Sequence, residues 1–263
     1  MAKISGSSRR RPFAGAVLLL AALTTTGAAY AVTTSAIASP KSTAATADQV
    51  ALGKRLFTEG CSSCHGLAGQ GGSSGPSLIG VGAAAVDFQV GTGRMPMAQA
   101  DTQAMRKPPV YTQEQIDALA AYVASFGAGP GVPDASKYDF SNANVARGGE
   151  IYRLNCSQCH NYAGKGGALS DGKYAPSVMK ATPKQIYEAM ITGPQGMPVF
   201  SDEQIPAKDK QDIIAYIDYL QNAPDPGGAA LGRLGPVTET VFMFTAAIGL
   251  VIAVTIWIGA KSR

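Results

Sequence analysis

Two five-residue stretches contain every cysteine and histidine of the chain: Cys61-Ser62-Ser63-Cys64-His65 and Cys156-Ser157-Gln158-Cys159-His160. Cys-x-x-Cys-His is the attachment motif of c-type haem. Its two thiols can add to the two vinyl groups of a haem, because two intervening residues let one turn of backbone span that gap. The histidine that follows then lies under the ring, where its imidazole can bind the iron. The sequence therefore predicts two covalently bound haem c groups.

Three other uses of the cysteines explain less. A redox dithiol needs Cys-x-x-Cys but not the histidine that follows each pair. One zinc ion could be held by all four thiolates, but both histidines and the methionines described below would then have no role. Structural disulfides are compatible with an exported protein, although cysteines three apart on a helical turn rarely pair.

Methionines are the candidates for the second axial position of each iron, because the chain contains no third histidine. Methionine–histidine ligation is found in cytochromes c and raises the reduction potential. Met95 and Met197 each precede a proline in a loop that begins with Thr-Gly, so we expect them opposite His65 and His160. Met97 competes with Met95, which is favoured by its repeated Met-Pro position. Two protein ligands leave no open site on either iron, which favours electron transfer over peroxide or oxygen chemistry.

The two motifs belong to an internal repeat. Gly53, Phe57 and the first motif recur as Gly148, Tyr152 and the second motif, every position being shifted by 95 residues. A glycine and an aromatic residue four apart lie on one helical face, where the glycine lets another helix approach closely. No convincing alternating strand pattern occurs, so we predict an all-α fold with tandem domains at residues 46–128 and 138–223.

Each unit ends with a second predicted helix, whose apolar residues follow i, i+3, i+4 spacing. These residues are Ile116, Leu119, Ala120, Val123 and Phe126 in the first unit, and Ile213, Tyr216, Ile217 and Leu220 in the second. Thr112 and Gln115 form a plausible capping box at the start of the first of these helices.

An uncharged segment precedes the repeat. Residues 1–11 are polar and basic, and residues 13–32 are uncharged and barely long enough to span a membrane. Ala29-Tyr30-Ala31 offers a small-x-small cleavage site. A cleaved signal peptide and a retained anchor helix therefore both stay open, with a linker continuing to residue 45.

A second apolar segment follows the repeat. After a linker at residues 224–239, residues 240–260 contain no charge and are long enough as a helix to cross the hydrocarbon core. Trp257 suits the membrane interface, and Lys261 and Arg263 suit the cytoplasmic side. We expect a protein of the cell membrane, in contact with lipid, with its haem domains on the extracytoplasmic side and its C-terminus in the cytoplasm.

The net charge of +4 does not indicate a nucleic-acid partner. Six of the 22 basic residues lie at the two ends of the chain, which leaves 16 basic against 18 acidic residues in between. We also find no paired carboxylates, nucleophile–base pair or phosphate-binding loop, so no substrate-transforming active site is expected in this chain.

Residues 46–223 resemble two tandem class I cytochromes c. In that family the helix that carries Gly-x-x-x-aromatic crosses the C-terminal helix, which implies such a crossing at Gly53 and at Gly148. A proline after the motif presents its carbonyl to the ligating histidine, and this role carries over to Pro76 and Pro176. The match at Pro176 is looser because the second unit has a longer loop before it.

The whole layout resembles a narrower family, the dihaem cytochrome c subunits of actinobacterial menaquinol–cytochrome c oxidoreductases (cytochrome bcc complexes). Gly-Arg-Met-Pro in the first unit, Leu-Asn-Cys-Ser-Gln-Cys-His-Asn in the second and the C-terminal span all match it. The resemblance implies a respiratory subunit that relays electrons from a Rieske iron–sulfur protein to an aa-type oxidase. A cytochrome b subunit, the Rieske subunit and that oxidase are the implied partners.

A membrane-tethered dihaem carrier that serves another dehydrogenase or a cbb-type oxidase is the alternative. The C-terminal anchor counts modestly against it, since dihaem subunits of cbb-type oxidases are usually anchored at the N-terminus. A peroxidase is a third option, and both Met-Pro loops count against it.

Overall fold

The computed structural model describes residues 12–37, 45–224, 227–229, 231–233 and 236–261. Helix α1 (Pro12–Ile37) belongs to one compact unit, and the chain from residue 45 onward forms another. This helix ends beyond the predicted limit at residue 32. The basic N-terminus at residues 1–11 lies outside the described residues, as do residues 38–44, 225, 226, 230, 234 and 235 of the two linkers, and Arg263.

The first half of the repeat folds into four helices: α2 (Ala47–Gly60), α3 (Ser62–His65), α4 (Gly82–Gly91) and α5 (Gln113–Ala124). Helix α2 crosses α5 at Gly53, where an added Cβ would overlap the carbonyl oxygen of Ala118. Phe57, one turn later, lies in the core and contacts Tyr122 edge-on at 5.4 Å between ring centroids. The predicted crossing is therefore confirmed, and so is the capping box of Thr112 with Gln115 at the start of α5.

The second half repeats this arrangement after a 3-10 turn at Ala135–Lys137, with α6 (Val145–Asn155), α7 (Ser157–His160), α8 (Pro183–Thr192) and α9 (Ala207–Asn222). Helix α6 crosses α9 at Gly148, where a Cβ would overlap the carbonyl oxygen of Asp212. Tyr152 is buried at the crossing and contacts Tyr216 at 5.3 Å between ring centroids. The repeated glycine thus has the same physical cause in both domains, the close approach of two helices.

A small antiparallel hairpin distinguishes the second domain. Strands β1 (Gly167–Ala168) and β2 (Tyr174–Ala175) pair Gly167 with Ala175 and Ala168 with Tyr174. No strand was expected from the sequence. Each strand has only two residues, which is too short for an alternating pattern to be recognised.

Helix α4 of the first domain packs against α8 of the second. An ion pair joins them, with Lys184 Nζ 2.5 Å from Asp87 Oδ2, and Glu188 lies beside this pair. The exposed fractions of the Asp87 and Glu188 residues are 6% and 1%. The two domains therefore share a junction that contains buried ionisable groups.

The chain continues through a 3-10 turn at Leu231–Arg233 into α10 (Pro236–Lys261). This helix begins four residues before the predicted start at residue 240. Residues Val237–Lys261 are long and apolar enough to cross a membrane, and none of the most apolar part is buried against the rest of the described chain. The ammonium group of Lys261 lies 4.9 Å from the Trp257 ring centroid at its far end.

Candidate functional site

Both Cys-x-x-Cys-His motifs adopt the same tight helical turn. The backbone N–H groups of Cys64 and His65 both donate to the Cys61 carbonyl, at 3.2 and 3.0 Å. Those of Cys159 and His160 donate to the Cys156 carbonyl, at 3.2 and 2.8 Å. This turn places both thiols and the following imidazole of each motif on one short segment, as attachment of a single flat group requires.

Each histidine is oriented by a proline carbonyl. The Nδ1–H group of His65 donates to the Pro76 carbonyl at 2.8 Å, and that of His160 donates to the Pro176 carbonyl at 2.9 Å. With Nδ1 occupied in this way, Nε2 stays available as a metal ligand.

The hairpin explains how the second proline keeps this position. Pro76 follows its histidine by 11 residues and Pro176 by 16 residues. The additional five residues form the β1–β2 turn, and Pro176 follows β2 directly. The longer loop therefore leaves the contact between proline and histidine unchanged.

A largely apolar cavity in the second domain brings the predicted residues together. Cys156, Cys159, His160, Pro176 and Met197 all line it, together with core residues such as Tyr152, Ile213 and Ile217. Burial lowers the pKa of His160, although its hydrogen bond to Pro176 opposes this, so the imidazole is neutral and able to coordinate a metal. The donor set and the apolar walls fit a covalently held haem.

The first domain places its predicted residues around the equivalent core. His65 is buried, with 8% of its surface exposed. Cys61 and Met95 both pack against the buried cluster that includes Phe57 and Leu119. Met97 is half-buried and is not among the residues packed on that cluster, so the packing favours Met95 as the candidate ligand.

The first thiol of each motif has a raised pKa instead of the lowered pKa of a redox dithiol. Burial, reinforced by the neighbouring Cys64, raises the pKa of Cys61 to about 11. Burial and the neighbouring Cys159 raise the pKa of Cys156 to about 12, whereas reactive dithiols depend on a lowered pKa. No group of three or more His, Cys, Asp or Glu residues is placed to hold a metal ion within the described part of the chain.

The first domain also contributes to the wall of the second cavity, which the sequence did not indicate. Phe88, Thr92, Arg94, Gln103, Ala104 and Arg106 all line it. Gln103 exchanges two hydrogen bonds with the backbone of Tyr174, at 2.7 and 2.9 Å. Gln195 exchanges two with the backbone of Ala104, at 3.1 and 3.2 Å.

A signal for these contacts exists in the places where the two repeats differ. Gln195 lies in the Pro-Gln-Gly segment that stands where the first unit has only Arg94, and Tyr174 lies in the hairpin that the first unit lacks. Departures from the internal repeat thus coincide with contacts between the two domains.

Family models match both halves of the repeat. Residues 50–127 match the model described as "Cytochrome c", and residues 143–217 match "Cytochrome C oxidase, cbb3-type, subunit III". These cytochrome c domains imply covalently bound haem c.

Full-length relatives are more specific than the domain models. The chain is 47% identical to a "Cytochrome bc1 complex cytochrome c subunit" from Mycobacterium bovis, over 98% of this chain and 95% of the relative. A protein of the same description from Corynebacterium efficiens is also 47% identical, over 96% and 90%. A "Cbb3-type cytochrome c oxidase subunit CcoP" from Azospirillum is 29% identical over only 50% and 47%.

A solved structure, the Kuenenia stuttgartiensis reducing HAO-like protein complex Kustc0457/Kustc0458, is similar at a TM-score of 0.35 and 17% identity, over 64% of this chain and 95% of that one. A likeness at this level supports no conclusion. The relatives that match nearly end to end do support one, because the motifs, the tandem domains and the apolar C-terminal helix all lie within the matched length. This chain belongs to the family of cytochrome c subunits of the cytochrome bc1 complex.

Proposed function

We propose that this chain carries two haem c groups and relays electrons, within a menaquinol–cytochrome c reductase, from a Rieske iron–sulfur protein to an aa-type terminal oxidase. The observation that carries this proposal is the repeated arrangement of a thiol pair, a histidine hydrogen-bonded to a proline carbonyl and a Met-Pro loop packed on the same core. Haem c, when bound, supplies a one-electron iron couple.

Matching residues of the two domains have the same roles. The cysteine pairs attach the group covalently, Cys61 with Cys64 and Cys156 with Cys159. His65 and His160 would hold the iron through Nε2, because their Nδ1–H groups donate to the Pro76 and Pro176 carbonyls. Met95 and Met197 would be the second protein ligand in each domain, and methionine ligation would favour a high reduction potential. With these residues as ligands the iron would keep no free position for a substrate, which favours electron transfer as the role of the chain.

Contact between the two domains suits transfer from one to the other. Helix α4 packs on α8, and residues of the first domain line the second cavity. The two haem groups would therefore lie on either side of the contact between the domains. Helix α10 anchors the domains to the outer face of the cell membrane, with Lys261 towards the cytoplasm. The remaining partners are a cytochrome b subunit, a Rieske subunit and an aa-type oxidase.

A tethered dihaem carrier for a cbb-type oxidase is the second candidate. The match of residues 143–217 to the model of a cbb3-type oxidase subunit favours it. Against it, the cbb3-type relative is matched over only half of the chain, whereas the bc1-type relatives are matched almost completely.

An optical spectrum of the purified assembly tests the proposal. A tagged chain is isolated from membranes in mild detergent, and the spectrum of the reduced sample minus that of the oxidised sample is recorded. Absorption bands of haems b and a beside that of haem c support a menaquinol-to-oxygen assembly. Haem c alone would instead favour the free-standing carrier. A haem count of one per chain would contradict the assignment of two attachment sites.

A further inference from the structure

Helix α4 has two buried faces that serve different domains. Val86 and Val90 belong to the core of the first domain. Phe88 lies between these two valines, and Thr92 caps the end of the helix four residues after Phe88. Both of them line the cavity of the second domain. Residues four apart share a helical face, and residues two apart point to nearly opposite sides. The helix is therefore a wall between the two sites.

Arg94 extends the wall on the side of the second domain. Its Nη1 donates to Thr92 Oγ1 at 2.7 Å, and its guanidinium lies 4.9 Å from the Phe88 ring centroid. It lines the same cavity as His160 and Met197. Met95, the next residue, packs on the core of the first domain instead. Two consecutive residues thus face two different sites.

The guanidinium of Arg94 has no carboxylate partner in the part of the chain that the structure describes. Only 8% of this residue is exposed, and no carboxylate lies within ion-pair distance of it among the described residues. A buried charge is costly unless it is paired.

The cavity as a whole is suited to an anion. Arg94, Arg106 and Lys173 line it, and none of its described lining residues is an aspartate or glutamate. Arg106 lies at the exposed rim, where it donates to the Lys180 carbonyl at 3.3 Å and to Gln185 Oε1 at 3.2 Å in the second domain. These two bonds hold the guanidinium of Arg106 in place and leave other N–H groups unused, because a guanidinium has five of them.

We propose that Arg94 and Arg106 of the first domain bind the propionate carboxylates of the haem in the second domain, so that this site is completed by both domains. This inference rests on the proposed haem in the second domain. A haem carries two such carboxylates, which matches a cavity with several cations and no acid. Arginine suits the task because its planar fork can bind a carboxylate through two hydrogen bonds. Arg94 is then a positioning residue for the second haem.

The test is a potentiometric titration of the full-length chain with Arg94→Gln, Arg94→Lys and Arg106→Gln. The titration wave of the second haem is identified as the one that Cys156→Ala with Cys159→Ala removes. Loss of the cation favours the ferric state, so Arg94→Gln should lower the reduced-to-oxidised ratio of the second haem about tenfold at fixed potential, which corresponds to about 59 mV. Arg94→Lys should retain most of the wild-type ratio, because lysine keeps the positive charge. Arg147→Gln is the control, since Arg147 lies on the surface of the second domain and pairs with Glu150 and Asp209.

Some results would overturn the inference, and one further result would support it. An unchanged second wave, or a shift confined to the first haem, would show that Arg94 does not serve the second site. A wild-type potential that falls with added phosphate at constant ionic strength would assign the arginines to a free anion instead. If Arg94→Gln also makes the second potential depend on pH near neutrality, a carboxylate has lost its cation, which a merely structural role would not produce. Failure of the proposed function is recognised separately, as a wild-type chain that holds no second haem.

Discussion

The buried carboxyl group of Glu188 makes the stability of the domain junction depend on pH. Burial, reinforced by the hydrogen bond and negative charge of Asp87, raises the pKa of Glu188 to about 9, although Lys184 opposes the shift. One of its oxygens, Oε1, has no hydrogen-bond partner, and Lys184 Nζ is 3.7 Å from it. At neutral pH the folded chain therefore holds Glu188 protonated, while the unfolded chain ionises it.

The sign and the size of the effect follow from this difference. Between the unfolded pKa and about 9, the unfolded state binds one proton fewer, so the free energy of unfolding falls as pH rises. The slope is about 1.4 kcal/mol per pH unit, or about 2 kcal/mol between pH 7 and pH 8.5. Burial would raise the pKa of Asp87, but its bonds to Glu188 and Lys184 outweigh this and lower it. Asp87 is thus ionised throughout that window and adds no slope.

Glu188→Gln should remove this dependence, because the amide copies a protonated carboxyl group and never ionises. The assay is denaturant unfolding of the full-length chain in mild detergent at pH 7 and pH 8.5. The free energy of unfolding of the variant, relative to that of the wild type, should rise by about 2 kcal/mol between pH 7 and pH 8.5. Glu150→Gln, at an exposed ion pair, is the matched control and should change with pH as the wild type does. Parallel curves for Glu188→Gln and the wild type would refute a protonated Glu188.

Three further changes test the repeat itself. Gly53→Ala should destabilise the first domain by about 3 kcal/mol in the same unfolding assay, because the new methyl group overlaps the Ala118 carbonyl and forces the helices apart; unchanged stability would contradict the close crossing. Cys156→Ala with Cys159→Ala should reduce the haem content from two to one, as measured by mass spectrometry. Met197→Ala should keep the haem attached but lower its reduction potential and block turnover, and an unaltered potential would remove Met197 as a ligand.

The sequence predicted the elements whose signal is local. Gly53 and Gly148 marked the helix crossings, and Thr112 with Gln115 marked a helix start, because each depends on residues within one or two turns. Helix α4 was missed. Its segment Gly82–Gly91 has no single apolar face, since one side meets the core of its own domain and the other meets the second domain.

The candidate site divides in the same way. The motif residues and the Met-Pro loops were recognisable because their types and spacing are specific. The proposed role of Arg94 could not be predicted, because an arginine in a loop is usually exposed, whereas only 8% of Arg94 is exposed in the folded chain. Met105 is exposed and accepts a hydrogen bond from the Tyr174 hydroxyl of the second domain at 2.7 Å, which the sequence did not indicate. Contacts between distant segments, rather than local pattern, decided both cases.

The glutamine contacts between the domains determine which substitutions the junction can tolerate. Gln103 and Gln195 each bind both the N–H and the carbonyl of one residue in the opposite domain, Tyr174 or Ala104. The groups that receive them belong to the main chain, which every residue except proline provides in full. Tyr174 and Ala104 can therefore vary during evolution without loss of these bonds. Each glutamine, by contrast, is a single point at which one substitution removes two hydrogen bonds.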